Sequence, residues 1–552
     1  MVNEKNVDKK GLILFVLHSH LPLLYYPEYR ESLEERWLFE AVRESYIPLL
    51  LVFEEIYNRY NYVGVTISFS GSLLTMLTND FFKERIYAHL KKTVELGQRE
   101  LQRTKGTQFY KNAEFLYNKF SGVLKKFEDL NGDILRGYKE LAKSGAIQVI
   151  TSNLTHCISP FYFVDKSSMK LLEIQFYKAV SNFVDYFGFS PEGVWLPECA
   201  YIPEINKILK KYNIKYTFLE SHGIIFSRDF CKYGTFMPYV TKDGLIVFGR
   251  DFESSKQVWS AKEGYPGDFW YREFYKDIGY DLEYEYIKDY IHESGVRTDT
   301  GYKYYRITGV DVPLSSKEIY DPDFAIKKSF EHAANFIFNR ERQSEYWCNA
   351  LKLNLPMSIA AMYDTELFGH WWFEGTYFLK NVLYLLNEEQ RYLVGVSTVS
   401  DYLKILESNN FKFEQLEPNS STWGWKGYFE YWLNGSVDYM YRHIHVNTKL
   451  FFDIINSKKE FIDKNEKYKN LAEIGISEIL QAQCSDWPFI VFTGQVSQYG
   501  HARFKEHIQN IMKINQILSG NSEIDTESMW KMSDISKMYK IDFNKMAEII
   551  YE

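Results

Sequence analysis

Short apolar runs rich in β-branched and aromatic residues recur along the chain between segments of helical spacing. That alternation constrains the fold more than any other feature. Seven such runs can be counted: Leu12–His18, Val63–Phe69, Ala146–Thr151, Gly193–Glu198, Tyr216–Leu219, Leu245–Phe248 and Met357–Tyr363. Runs of this kind belong to strands covered on both faces by crossover helices. The alternation predicts an α/β fold, either an open doubly wound sheet or a closed barrel, with the ligand at the carboxyl ends of the strands in both cases. The polar residues that end the runs are therefore the first place to look for chemistry.

Between the second and third runs, residues 80–144 contain no proline and place apolar side chains at helical spacing, as in Phe115, Leu116, Phe120, Leu124 and Phe127. The segment is too long for one crossover helix. It reads as a helical insertion closed by Gly145 at a C′ position. From about Asp401 onward strand-like runs become rare and helical patterns dominate. The expected division is the α/β unit from 1–79 and 145–400, a helical insertion at 80–144, and a C-terminal helical domain at 401–552. Neither an internal repeat nor a Ser/Gly linker separates the parts.

Composition narrows the function. Over 552 residues, 65 basic against 73 acidic side chains leave a net charge of −8, which argues against a phosphate backbone as main partner. The 45% hydrophobic and 18% aromatic content excludes a disordered chain. Cys157, Cys199, Cys231, Cys348 and Cys484 are scattered and never spaced C-x-x-C, so neither a disulfide framework nor a zinc ribbon is indicated; a reducing cytoplasm fits best. The N-terminus imitates a signal peptide, but the run Leu12 to Leu17 is shorter than the roughly 7–15 residues of an h-region, and no small-residue cleavage site follows. It reads as a buried strand, and no other stretch approaches a membrane span.

Two run ends carry acids. In GVWLPECAYIPE a strand ends at Pro197 and Glu198, where the mouth of a barrel collects catalytic groups. The competing reading is a strand-end glutamate paired with an arginine. In AAMYDTELFGHWWFEG a strand delivers Asp364 and Glu366, followed by His370, Trp371 and Trp372. Carboxylates beside flat rings suit a sugar, since acids do the proton work and rings cover the apolar faces of pyranoses; an aromatic core patch with a capping aspartate is the alternative. Aromatic density recurs around Trp259, Tyr265, Trp270, Tyr271, Phe274, Tyr275 and Tyr280, and again around Trp423, Trp425, Tyr428, Tyr431 and Trp432. Stacking also suits nucleobases, but the acidic surroundings favour a neutral carbohydrate. His18, His20 and His156 follow the first and third strands; they could bind zinc, though hydrogen bonding to sugar hydroxyls is the preferred reading.

Taken together, LHSHLPLLYYPE, TISFSGSLL, NLTHCISPF, WLPECAY, GRDFESSKQVWS, EGYPGDFWYREFYKDIGYD, YDTELFGHWWFEG, STWGWKGY and SDWPF, in this order, resemble glycoside hydrolase family 57, most closely its α-1,4-glucan branching enzymes and related α-amylases. The resemblance implies a distorted (β/α)7 barrel with a helical insertion and a C-terminal helical domain, and retaining chemistry. By motif, Glu198 matches the nucleophile and Asp364 the general acid/base. Arg250, Gly267, Trp423, Asp486 and Gln495 match substrate-contacting positions; Trp37, Trp270 and Trp432 match aromatic positions near the cleft; His18, His20 and His156 match its polar lining. No metal or cofactor is called for.

The resemblance further implies an enzyme that cleaves α-1,4 bonds of an amylose-, glycogen- or starch-like polymer through a glycosyl-Glu198 intermediate. It then transfers the chain to a 6-hydroxyl, with side hydrolysis. An α-amylase or 4-α-glucanotransferase using the same site is the alternative, and a non-catalytic glucan-binding protein or a metal-dependent deacetylase the reading from another class. SRDFCKYGTFMPYVTKDG is a candidate lid, with Tyr233, Phe236 and Tyr239 as its aromatic residues.

Overall fold

The computed structural model describes residues 6, 8–521 and 529–551. The outer ends of the expected barrel and C-terminal segments, 1–5, 7 and 552, lie outside the described residues, as do 522–528.

Among the described residues nine strands form one sheet: β1 (Gly11–Ser19), β2 (Val65–Phe69), β3 (Ile147–Thr151), β4 (Gly193–Val194), β5 (Tyr216–Leu219), β6 (Tyr239–Val240), β7 (Ile246–Gly249), β8 (Met357–Asp364) and β9 (Val394–Val396). Their order is β6-β7-β5-β4-β3-β2-β1-β8, with β9 on β1. All pairs are parallel except β6 with β7. Just past β7, Arg250 makes a parallel bridge to Ala360 of β8, and the Asp251 amide donates to the Ala360 carbonyl at 3.0 Å. The sheet thus curls back on itself as a distorted (β/α)7 barrel of β7, β5, β4, β3, β2, β1 and β8.

Each expected run falls on one of these seven strands. The largest shift is in Gly193–Glu198, which pairs only at Gly193–Val194 before turning through Pro197–Cys199. Pro197 has no amide hydrogen for a ladder, so the strand must end there. The two additions, β6 and β9, are too short to leave a periodic signal. β9 occupies the edge of β1 at Gly11–Ile13, below the Phe15–Ser19 stretch that pairs with β2. β1 is buried along its whole length, and each fully buried Leu, Ile or Phe in such a strand contributes about 1.5–3 kcal/mol.

Residues 80–144 form helices Asp80–Thr104, Tyr110–Asp129 and Ile134–Lys143. Gly145, at φ 79°, ends the last of them: its amide donates to Ala142 and that of Ala146 to Leu141, both at 3.0 Å. This pair of bonds needs the left-handed backbone that glycine adopts freely. Leu96, Ala113, Leu116 and Phe120 pack with Ile278, Ile287, Tyr290 and Tyr302 in a small second core, which ties the insertion to the loops of residues 278–304. The C-terminal helices, including Asp438–Ser457, Glu466–Ala482, Asp486–Thr493 and Ser497–Ser519, share the main core with the barrel. Among the described residues no helix is long and apolar enough to cross a membrane, and the five cysteines are free.

Candidate active site

The carboxyl ends of β1, β2, β3, β4, β7 and β8 converge with one edge of the C-terminal helices. Glu198 stands on the turn after β4 in the left-handed region (φ 59°, ψ 22°), and Cys199 follows at φ 50°. Non-glycine residues pay about 1–3 kcal/mol each for such backbone, which persists only where the surroundings hold it. The strand-like segment at 421–423 does so: Tyr201 and Ser421 exchange backbone bonds, and the Trp423 amide donates to the Glu198 carbonyl at 2.9 Å. The strain aims the Glu198 carboxylate into the barrel mouth, where Trp423 Nε1 donates to Oε2 at 2.6 Å and Ser485 Oγ approaches Oε1 at 3.4 Å.

Behind Glu198 runs a hydrogen-bond chain. Ser68 Oγ meets His18 Nδ1 at 2.6 Å, His18 Nε2 meets His156 Nε2 at 2.8 Å, and His156 Nδ1 meets Ser485 Oγ at 2.7 Å. Burial holds both imidazoles well below the ordinary histidine range, helped for His18 by His20 and for His156 by His20 and His18, so each is neutral with one donor and one acceptor. If Ser485 donates to Glu198, every link is assigned: Ser68 donates to His18, His18 to His156 and His156 to Ser485. The chain delivers a fixed donor to a carboxylate.

A second set lies alongside it. His20 joins Ser70 Oγ through Nδ1 and Asp486 Oδ2 through Nε2, both at 2.8 Å. Burial pushes the Asp486 carboxyl up, but His20 and the Cys484 thiol outweigh it and hold it below the usual range. Among the described residues, His20, His156 and Asp486 each bring a metal-ligand atom within 4.8 Å of the others. The two rings stack at 3.6 Å and 9° from parallel, so their in-plane lone pairs run side by side instead of converging, and the nitrogens already bond to Ser70, Asp486, His18 and Ser485. The donor set fits a hydrogen-bonded lining better than a tetrahedral ion.

Asp364 ends β8, in register with His18 of β1. Among the described residues no hydrogen-bond donor reaches its carboxyl. Burial, then the charges of Glu366 and Glu198, push it well above the ordinary aspartate range. Burial also raises Glu198, to about 7, against the lowering effect of the Trp423 bond. Glu366 accepts from the Tyr46 hydroxyl and from the His20 amide at 3.3 Å. Tyr46 closes a π-helical turn, Val42–Tyr46, on which the segment after β8 docks so tightly that a Cβ at Gly369 would lie 1.9 Å from the Glu44 carbonyl.

Arg250, after β7, donates to Glu220 at 2.9 Å and Ser255 at 2.8 Å and lies 5.2 Å from the Trp423 ring centre. With His222, Trp259 and Lys426 it lines an open cavity of about 480 Å³. The structure therefore brings His18, His20, His156, Glu198, Arg250, Asp364, Trp423 and Asp486 into one neighbourhood. Gly267 lies in the turn Tyr265–Gly267, where a Cβ would meet the Ala261 carbonyl at 1.9 Å. Gln495 is exposed just after the helix Asp486–Thr493, and Trp37 packs edge-on against Tyr499.

Two expectations need correction. Trp432 offers no stacking face: it is 1% exposed and packed on Phe489 and Tyr431. Trp270 keeps an exposed face, packing on Phe324 with Arg306 over its ring; Trp423 itself meets Trp195 at 5.2 Å and Trp259 at 5.9 Å. Tyr233, Phe236 and Tyr239 do not form a lid. The Tyr233 amide donates to the Tyr239 hydroxyl, Tyr239 is fully buried, and Phe236 packs on Trp347, so apolar burial draws all three into the barrel wall. The exposed rings here are Phe230 and, just before the segment, Phe226. Ser68, Ser485, Tyr46 and Trp195, which stacks on His18 at 4.8 Å, were not foreseen.

The sequence profile of glycosyl hydrolase family 57 matches residues 14–312, more than half of the chain. The chain belongs to glycosyl hydrolase family 57. A second profile, the C-terminal region of 1,4-alpha-glucan branching enzymes, matches residues 437–545. Within family 57 the chain is 32% identical over 531 residues to the 1,4-alpha-glucan branching enzyme TK1436 of Thermococcus kodakarensis, covering 92% of this chain and 73% of that one. Its fold is similar to that of the alpha-amylase AmyC from Thermotoga maritima (36% identity, TM-score 0.87, covering 97% and 99% of the two chains). It is also similar to a family 57 branching enzyme from Pyrococcus horikoshii (29% identity, TM-score 0.83, covering 98% and 97%).

Proposed function

We propose that this chain is a 1,4-α-glucan branching enzyme acting with retention on an amylose-, glycogen- or starch-like polymer, with side hydrolysis. The barrel at 1–79 and 145–400 carries both acids, 80–144 is an insertion, and 401–552 completes the cleft. The observation that carries the reading is the opposed setting of two carboxyls at one barrel mouth: among the described residues Glu198 receives two donors and Asp364 none, and Asp364 feels the charge of Glu198.

In that reading Glu198 attacks the anomeric carbon as the C1–O4 bond breaks and Asp364 gives its proton to the departing oxygen. The ester removes the charge on Glu198, so Asp364, now ionised, is less opposed and can take the proton of an incoming hydroxyl. The new C1–O bond forms as the ester breaks, and Glu198 returns to its donors. A 6-hydroxyl yields a branch, and water yields hydrolysis. Trp423 and the Ser485 chain stabilise Glu198 when charged, while Arg250, Asp486 and His20 line the substrate. The match at residues 437–545 favours branching; the likeness to AmyC favours an α-amylase on the same site.

Amylose incubation separates the two. Branching predicts few reducing ends from side hydrolysis directly and many more once a debranching enzyme is added. Ends that appear directly, in equal number with and without debranching, would make the chain an α-amylase.

A further inference from the structure

We propose that an aromatic strip running from Trp371 through Phe274 and Tyr275 to a cleft beside Tyr280 binds the acceptor-side segment of the α-1,4-glucan chain. The inference rests on the reading of Asp364 as acid/base. Leaving and acceptor oxygens both approach that group, so chain on its side of the scissile bond must lie along the elements that follow β8.

Trp371 sits there. Its amide donates to the Glu366 carbonyl at 3.1 Å, and its neighbour His370 bonds Glu44 at 2.8 Å, so the exposed indole stands on a fixed base. Phe274 stacks on Trp371 at 5.1 Å and meets Tyr275 edge-on at 5.0 Å. Tyr275 then opens one side of a cleft of about 370 Å³, lined also by Lys276, Tyr280, Asp281, Asp299 and Leu314. Trp371, Tyr275 and Tyr280 are 57%, 70% and 48% exposed. So many contiguous rings in water mark a binding surface more often than chance exposure.

The strip is built rather than loose. Buried Asp277 accepts from the amides of Gly279, Thr300 and Gly301, and Arg297 donates to the carbonyls of Gly279 and Leu282, both at 2.8 Å, fixing the turn that presents Tyr280. Its charges are internally matched: Lys276 faces Asp281 and Lys303 faces Asp299, each at 3.4 Å. A matched rim gives no positive field to hold a polyanion. It does supply donors and acceptors beside flat apolar faces, as a neutral polyhydroxylated chain requires.

The test uses the full chain carrying Glu198→Gln, so that bound sugar is not consumed, with maltoheptaose and maltotriose titrated calorimetrically. Adding Tyr280→Ala or Trp371→Ala should weaken maltoheptaose about five- to tenfold and maltotriose less than about twofold, the magnitude expected for one lost stacking contact. Tyr280→Phe, which keeps the ring, should retain the affinity and guards against misfolding. With Glu198 intact, the alanine variants should lower transfer relative to hydrolysis. If maltoheptaose binds but neither alanine variant weakens it, the strip is not a glucan site while the proposed activity stands. If the Glu198→Gln protein binds neither sugar, the glucan reading itself falls, and the strip with it.

Discussion

The turns after β4 and β8 each present a carboxyl to the same barrel mouth, yet they treat it oppositely. Glu198 sits on strained left-handed backbone, clamped by the 421–423 segment, and receives an indole N–H and a serine hydroxyl at the end of a four-residue relay. Asp364 sits on relaxed extended backbone (φ −67°, ψ 137°) with no donor among the described residues and with Glu366 and Glu198 as electrostatic neighbours. Burial raises both acids; the Trp423 and Ser485 bonds restrain Glu198, which rises to about 7, whereas Asp364 has no such donor and the charges of Glu366 and Glu198 add to its rise well above the ordinary aspartate range. The donors favour the charge on Glu198, and the neighbouring charges favour the proton on Asp364. Environment, not residue type, assigns nucleophile and acid.

The most severe way to break this contrast is to remove either ionisable group. Glu198→Gln and Asp364→Asn should each lower glucan turnover by about 10³-fold or more; near-normal turnover in either variant would refute the site. The same variants sharpen the cost of holding an acid there. The folded pKa of Glu198 lies above the ordinary 4.5, so its contribution to stability is fully present below that value and is lost as pH rises through about 7. Glu198→Gln should therefore equal the parent in denaturant unfolding near pH 4 and exceed it by up to about 3 kcal/mol near pH 8. An equal difference at both pH values would contradict the linkage.

Smaller changes tune each side separately. Trp423→Phe removes the shortest donor to Glu198, so the acid needs a higher pH to ionise. The acidic limb of the rate profile, expected near pH 7 in the parent, should move up and the rate at pH 7 fall about tenfold. Glu366→Gln removes a charge that keeps Asp364 protonated. The basic limb should move to lower pH, with the rate at pH 8 falling roughly threefold and that at pH 6 little changed. A Glu366→Gln profile that drops uniformly, without moving its basic limb, would show a merely structural role.

The strand bodies and both acids were legible because they are local: an apolar run states a buried strand, and the residue ending it states the mouth. Glu198 and Asp364 were found in that way, with the family motif supplying their roles; Arg250 came from the family motif alone, and Trp423 from aromatic density and the motif. The relay was not legible. It joins Ser68, His18, His156 and Ser485 across as many as 329 positions of chain, and no local pattern encodes which serine meets which histidine. The aromatic stretches were visible as composition only. Packing of the C-terminal helices buries Trp432, and packing of the barrel wall buries Tyr239, while Trp259 and Trp371 stay exposed. A ring's exposure is set by neighbours distant in sequence.

The central claim, that Glu198 takes the sugar while Asp364 handles the proton, is tested most directly by trapping the intermediate. An α-maltosyl fluoride donor needs no acid to leave, so Asp364→Asn should complete the first step and stall at the second, which needs its base. Mass spectrometry of the quenched, proteolysed protein should then find the glycosyl adduct on the peptide containing Glu198. An adduct on another carboxylate, or hydrolysis of the fluoride at full rate with no adduct, would contradict the assignment.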